Sequence, residues 1–236
     1  MIRTVIFDVD DTLYSFSHAD KAALEKLLAY ANEQFGWDEE EFRNRQKAAM
    51  ADVKRFAGTS GGYRARILRY QNMLEAAGLP LYPHAHVMSR IYQDTLLDSM
   101  IPSEGVEDWL RSLRDQKMRI GIGSDATAMQ QVLKMERLGL LSYVDFMVTS
   151  EESGVEKPDP KFFERCSEKC GCQPDEVLFI GDNLQKDFAG AQKAGFHALW
   201  YNPNGKTCDF PVKELRSFKD AREILDEINS AGKGES

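Results

Sequence analysis

The sequence has few residues of the kinds that mark disordered, fibrous or polyanion-binding proteins. Only 8 of its 236 residues are proline, and with 42% hydrophobic and 29% charged residues the composition indicates a chain that folds by itself. Positive charge is in deficit, since 30 Lys and Arg face 38 Asp and Glu, a formal net charge of -8. This counts against a general nucleic-acid or anionic-membrane surface, because both favour a surplus of Lys and Arg. No apolar run reaches the length of a transmembrane helix.

Cysteine is scarce as well, with four in the chain. The apolar run at residues 2–7 is too short for the core of a signal peptide, so we expect a cytoplasmic protein with reduced thiols. Cys166, Cys170 and Cys172 lie close together, and the first two share a face if the segment is helical. No histidine is near them and Cys208 is remote, which favours packing or surface thiols over a zinc site.

The hydrophobic pattern predicts an α/β protein with a separate helical segment. Compact apolar runs, rich in β-branched residues and bounded by glycine or carboxylates, predict strands at residues 2–7, 118–122, 144–148, 177–180 and 196–201. Helical periods fill the intervals after residue 102, which predicts a parallel sheet with helices on both faces. Between residues 18 and 97 the period is helical throughout, with glycines dividing it into about four helices. We therefore predict a core of residues 1–14 and 100–236 and a small all-helical domain of residues 15–99.

Polar side chains lie in the segments that follow four of the predicted strands. They are Asp8, Asp10, Asp11 and Thr12, then Ser124 and Asp125, then Lys157, and finally Asp182 and Asp187. The carboxyl ends of parallel strands meet at one edge of a sheet, so these groups are predicted to converge. Carboxylates a few ångströms apart repel by roughly 1 to 4 kcal/mol per pair at a surface-like dielectric, which calls for a cation. An all-oxygen ligand set favours Mg²⁺ over zinc.

Four motifs in this order resemble those of the haloacid dehalogenase superfamily of hydrolases. The family's Asp-x-Asp-x-Thr motif matches residues 8–12, its strand ending in Thr or Ser matches 120–124, its loop lysine followed by proline matches 157–158, and its apolar strand with Gly-Asp and a later Asp matches 178–182 and 187. The helical insert resembles the C1-type cap of subfamily I. The likeness thus covers nearly the whole chain and implies a Rossmann-like core, in the phosphatase branch of the superfamily.

Residue chemistry and resemblance together suggest roles for the matched positions. Asp8 is expected to attack phosphorus as the nucleophile, and Asp10 to protonate the leaving group and later activate water. Ser124 and Lys157 would bind the phosphoryl oxygens.

The assignment of ligands to the metal is implied by the resemblance alone. It places Mg²⁺ on Asp8, on the backbone carbonyl of Asp10 and on Asp182. Asp187 would support the metal or Lys157, and Thr12 is counted with the supporting residues.

Two further residues are candidates for substrate binding. Asp125 stands where the family often has Asn, and it could instead cap the following helix, just as Ser124 could simply end a strand. Arg64 follows the glycine-rich segment 58–62 and could bind a second anionic group, although such segments are often plain connectors.

The expected function is that of a phosphatase acting on a small phosphorylated metabolite, of the sugar phosphate, nucleoside monophosphate or phosphoglycolate type. A phosphomutase of the β-phosphoglucomutase type would use the same residues. A 2-haloacid dehalogenase lacks the second acid of the first motif, so Asp10 counts against it, and a non-catalytic scaffold would not need these side chains. Neither nucleic acid nor membrane is expected as a partner, and a monomer or weak homodimer is expected.

Overall fold

The computed structural model describes residues 1–58 and 65–231, and the chain divides into two compact units. The first unit comprises Met1–Ser15 and Ile101–Ser236, and the second comprises Phe16–Met100. Arg64 lies outside the described residues.

In its described residues, the first unit is an α/β layer structure built on six strands. Its strands are β1 (Thr4–Phe7), β2 (Arg119–Ser124), β3 (Phe146–Thr149), β4 (Val177–Gly181), β5 (His197–Tyr201) and β6 (Glu214–Leu215). They form one parallel sheet in the order β3-β2-β1-β4-β5-β6. The predicted fold class is confirmed. The sixth strand was missed, because a two-residue edge strand has no readable period.

Helices connect the strands of this unit. The insert between β1 and β2 contains α1 (Phe16–Phe35), α2 (Glu39–Ala57), α3 (Arg66–Ala76) and α4 (His84–Asp98), and the core adds α5 (Val106–Asp115), α6 (Ala128–Arg137), α7 (Ser150–Ser153), α8 (Pro160–Cys170), α9 (Ala189–Lys193) and α10 (Ala221–Ala231). The predicted start of α8 is confirmed, with Asp159 capping Lys161 N at 3.0 Å and Pro160 in the first turn.

Alternating side chains of β1 pack on opposite faces of the sheet. Ile6 belongs to a buried cluster with residues of α8, including Phe163, whose ring lies 5.6 Å from that of Phe179. Phe7 points the other way and meets the ring of Trp109 at 5.3 Å. Because both faces of β1 are buried, the strand reads as a continuous apolar run and its last residue delivers Asp8 to a fixed position.

The second unit is all helical in its described part. Its longest helices contain small and apolar buried residues such as Ala23 and Leu27 of α1. Asp38 is the N-cap of α2, and its side chain accepts from Glu41 N at 2.8 Å. Within residues 1–58 and 65–231, none of the helices has the length and apolar character needed to cross a membrane.

Candidate active site

Asp8 follows β1 directly and lies at the edge where the central strands end. Its backbone N–H donates to Ile180 O at 2.8 Å, which continues the β1–β4 ladder by one residue and fixes the start of the loop. Its side chain is nearly buried, with 7% of the residue exposed. The register thus places the carboxylate of Asp8 between the ends of β2 and β4.

Lys157 lies buried beside Asp8, with 3% of the residue exposed. Its ammonium donates to Asp8 Oδ1 at 2.8 Å, to Asp187 Oδ1 at 2.6 Å and to Gly123 O at 2.9 Å, so all three of its protons are bonded. Burial alone would lower the pKa of Lys157, but Asp187 and Asp8 outweigh burial and hold the pKa above its usual value. The lysine therefore stays charged at this edge of the sheet.

The carboxylates of Asp8, Asp182 and Asp187 form a cluster in which one oxygen from each lies within 4.8 Å of the others. Burial raises the pKa of Asp8 to about 7, with Asp187 and Asp10 adding to the shift and Lys157 opposing it. Burial also raises the pKa of Asp182 to about 7, reinforced by Asp187 and Asp11. Since raised pKa values mean that the negative charge is undercompensated, a hard divalent cation with oxygen ligands fits this donor set.

Asp187 owes its position to a glycine in β4. A Cβ built on Gly181 would lie 2.3 Å from Asp187 Oδ2, so only glycine leaves room for this carboxylate. The same Oδ2 accepts from Asn183 N at 3.0 Å while Oδ1 binds Lys157. With both oxygens engaged, Asp187 is placed to orient Lys157 next to Asp8.

A π-helical turn at Leu184–Phe188, wider than the ordinary helix expected here, brings Asp187 back to β4. Asn183 caps it by accepting from Gln185 N and Lys186 N, each at 3.0 Å. The backbone at Asp182 is held from β5, where Trp200 Nε1 donates to Asp182 O at 2.8 Å. The sequence analysis did not predict these roles of Asn183 and Trp200. An asparagine directly after Gly-Asp is a common turn and capping residue, so the role of Asn183 could have been predicted.

Ser124 and Asp125 follow β2 and have different surroundings. Ser124 is buried, and its Oγ accepts from Gln131 Nε2 at 2.7 Å. Asp125 Oδ1 accepts from Lys157 N at 2.9 Å, and its Oδ2 from Lys186 Nζ at 2.8 Å. The alternative that Asp125 caps the next helix is wrong, because Thr127 is the N-cap of α6. Asp125 instead ties the loop of Lys157 to the end of β2.

Asp10 and Thr12 stabilise the loop after β1 in different ways. Both oxygens of Asp10 accept from Lys134 Nζ, at 2.6 and 2.8 Å, and Oδ1 also accepts from the Tyr14 hydroxyl at 2.5 Å. Thr12 is fully buried, and its carbonyl accepts from Ser103 Oγ at 2.8 Å. Between them Asp11 adopts a positive φ of 56°, a conformation that aspartate tolerates better than most residues.

Comparison with known proteins decides the family. A family model for haloacid dehalogenase-like hydrolases matches residues 2–195. The chain belongs to this family. The resemblance seen in the four sequence motifs is thereby confirmed, and the match includes every strand-end residue described above.

Relatives of this family member include two named phosphatases. The chain is 32% identical over 206 residues, 86% of each protein, to the ribulose-1,5-bisphosphate 5-phosphatase of Halopiger xanaduensis. It is 31% identical over 242 residues to the glyceraldehyde 3-phosphate phosphatase of Methanopyrus kandleri, covering 99% of this chain and 100% of the relative. Among solved structures, the 2-haloacid dehalogenase of Pseudomonas syringae pv. tomato matches with a TM-score of 0.76 and 26% identity, covering 96% of this chain and 99% of that one.

The raised pKa values give a prediction for the metal-free protein. Asp8 and Asp182 bind protons more tightly in the folded chain (pKa about 7) than at the ordinary value of 3.8, so the free energy of unfolding decreases as pH rises between those values. A cation that binds these carboxylates must displace the protons. We therefore expect Mg²⁺ to raise the melting temperature more at about pH 8 than at about pH 5.5, where the carboxyls are protonated.

Thermal unfolding in EDTA and in saturating Mg²⁺, at both pH values, measures this difference. Ca²⁺ at the same ionic strength separates a general divalent effect from one specific to Mg²⁺. Equal stabilisation by Mg²⁺ at the two pH values would count against a metal site on these carboxylates.

Proposed function

We propose that the chain is a Mg²⁺-dependent phosphatase that transfers the phosphoryl group of a small metabolite to Asp8 and then to water. The observation that supports this most is the pairing of the Asp8 carboxylate with Lys157 at 2.8 Å within an acidic cluster, with Asp10 two residues further along the chain. The ammonium of Lys157 beside this nucleophile can neutralise charge on the phosphoryl group, and Asp10 can supply a proton to the leaving oxygen.

The proposed reaction has two half-reactions. An oxygen of Asp8 forms a bond to phosphorus as the bond from phosphorus to the ester oxygen breaks, and the departing oxygen takes a proton from the carboxyl of Asp10. Asp10, now a carboxylate, then takes a proton from water as the water oxygen attacks the same phosphorus and releases Asp8. One carboxyl thus serves as acid and base in turn.

Lys157 and Ser124 would bind the phosphoryl oxygens while charge moves from Asp8 to the leaving group. Asp8, Asp182 and the backbone carbonyl of Asp10 would hold Mg²⁺, which when bound supplies positive charge beside the phosphoryl group. Asp187 would keep Lys157 in place through its 2.6 Å ion pair.

The substrate class rests on the named relatives. Both act, by their names, on phosphorylated sugars or sugar-derived metabolites. We propose a substrate of the sugar phosphate, nucleoside monophosphate or phosphoglycolate type, with Arg64 and Asp125 as candidate contacts. A cytoplasmic monomer or weak homodimer, without nucleic-acid or membrane partners, remains part of this proposal.

Two alternatives differ in chemistry. A phosphomutase would return the phosphoryl group to a second hydroxyl and need a bisphosphate primer, whereas a phosphatase releases inorganic phosphate steadily. The solved 2-haloacid dehalogenase supports the second alternative by likeness. Asp10 argues against it, since halide leaves without a proton, and halide release from 2-chloropropionate in chelator would overturn our choice.

Metal removal provides a direct test of the proposal. We expect the protein to hydrolyse p-nitrophenyl phosphate, to lose this activity in EDTA and to regain it with excess Mg²⁺, because Lys157 offsets only part of the charge of the three clustered carboxylates, which would repel a phosphate dianion without a further cation. Inorganic phosphate release is the measurement, followed by a screen of phosphorylated metabolites. Full turnover in EDTA would contradict the metal assignment.

A further inference from the structure

We propose that Lys134 is a positioning residue that holds Asp10 for proton transfer and thereby sets how well the enzyme expels a poor leaving group. The inference rests on the function proposed above, in which Asp10 protonates the leaving oxygen. It concerns a lysine of α6 that none of the four sequence motifs includes.

The carboxylate of Asp10 is bound from two sides within the α/β unit. Lys134 Nζ lies 2.6 and 2.8 Å from its two oxygens, and the Tyr14 hydroxyl donates to Oδ1 at 2.5 Å. The ammonium also lies 5.9 Å from the centre of the Tyr14 ring, so the three side chains form one cluster. Two side chains thus donate to the carboxylate, and Lys134 bonds to both of its oxygens, which restrains its position.

The exposure of the two partners is unequal. The side chain of Lys134 is 10% exposed, whereas that of Asp10 is 32% exposed. The lysine therefore reaches the carboxylate from the protein interior and leaves part of it open to a reactant. Burying an ammonium costs more than burying an apolar side chain of similar length, so packing alone does not account for a lysine here.

Lys134 shares its face of α6 with a second residue that contacts the site. Gln131 lies one turn earlier on the same helix face and donates to Ser124 Oγ at 2.7 Å. One face of α6 thus holds both a phosphate-side group, Ser124, and the proposed proton donor, Asp10.

The chemical consequence appears only when the leaving oxygen needs a proton. As Asp8 bonds to phosphorus and the ester bond breaks, the electron pair goes to the leaving oxygen, and an alkoxide must take the proton of Asp10 at that moment. A nitrophenolate is stable enough to depart without it. A misplaced Asp10 should therefore slow alkyl phosphates and spare p-nitrophenyl phosphate.

The test compares kcat/KM of the Mg²⁺-loaded full chain for p-nitrophenyl, phenyl and n-propyl phosphate, none of which carries a second charged group. This ratio reports the half-reaction in which the leaving group departs. For Lys134→Met we expect a loss of ~10- to 100-fold on n-propyl phosphate and a much smaller loss on p-nitrophenyl phosphate, since general acid catalysis contributes 10²- to 10⁴-fold in total. Lys134→Arg should recover part of the loss, and the exposed Lys193→Met should match the parent.

A double substitution distinguishes a positioning role of Lys134 from a structural one. In an Asp10→Asn background, Lys134→Met should cause no further loss, because it acts through Asp10. An equal loss on all three phosphates, or additive losses in the double variant, would overturn the proposal. If Lys134→Met fails to give the parent's circular dichroism and melting profile, Tyr14→Phe replaces it, and the absence of any leaving-group selectivity there would also overturn the proposal.

Failure of the proposed function has a separate signature. In that case the parent and Lys193→Met would turn over none of the three phosphates, or Asp8→Asn would retain the parent rate. If the parent is active and dependent on Asp8 but the Lys134 variants lose activity equally on all three phosphates, the proposed function stands and only the role of Lys134 is rejected.

Discussion

Replacing Asp8 by Asn is expected to reduce phosphatase turnover by ~10⁴-fold or more, a loss of the size seen when a catalytic nucleophile is removed. Asn has nearly the same shape as Asp, so it keeps the packing at the end of β1 but has no anionic oxygen to attack phosphorus. Phosphate release from p-nitrophenyl phosphate in saturating Mg²⁺ measures the loss. Mass spectrometry of acid-quenched parent enzyme should detect a phosphoryl adduct that the variant lacks.

The same substitution should leave the fold intact. The pKa of Asp8 is raised to about 7, mainly by burial, so its charge is costly above that pH, and a neutral side chain removes this cost in metal-free buffer. We expect a melting temperature in EDTA at about pH 8 that is no lower than that of the parent. Substantial turnover by a well-folded Asp8→Asn protein would reject the phosphoenzyme.

Replacing Lys157 by Met is expected to reduce both activity and stability. The lysine pairs with Asp8 and Asp187 in a site where all three side chains are nearly buried. Removing one partner of such a group leaves uncompensated buried charge, so we expect the free energy of unfolding in EDTA to fall by about 3 to 5 kcal/mol. Turnover should fall as well, since the ammonium proposed to bind the phosphoryl oxygens is lost. Urea unfolding and phosphate release measure the two effects.

A paired variant separates the two losses. Adding Asp187→Asn to Lys157→Met removes one of the unpaired carboxylates, so part of the lost stability should return while activity stays low. Lys219→Met is a suitable control, because its ion pair with Glu104 is largely exposed and is expected to contribute little. A Lys157→Met protein as stable as the parent would show that the buried ion pairs are not formed.

The fold was readable from the sequence because its strands are buried on both faces. Such strands appear as unbroken apolar runs, and five of the six were predicted with ends that differ by a few residues from those of the structure. The start of α8 was equally clear, since Asp159 and Pro160 act through local backbone geometry. Glu214–Leu215 was missed because its pairing with β5 depends on the neighbouring strand and not on its own pattern.

The hydrogen-bond and ion-pair partners of the site residues could not be predicted from the sequence. Lys134 and Asp10 are separated by 124 positions, and nothing in the helical pattern of α6 distinguishes Lys134 from a solvated lysine. Asp125 was predicted at the site, but its contacts with the loop of Lys157 and with Lys186 became visible only once the loops after β2, β3 and β4 were brought together. Local sequence could not supply these pairings, because they depend on the order of strands in the sheet.

Local sequence was enough to predict which residues follow the strands, because buried parallel strands and the carboxylates after them have local signatures. How those residues share charge depends on the folded chain. It placed Lys157 between Asp8 and Asp187, gave Asp187 its room beside Gly181, and set Lys134 against Asp10. Electrostatic pairing depends on distances of a few ångströms between side chains, and these distances are fixed by strand order and register and not by spacing along the chain.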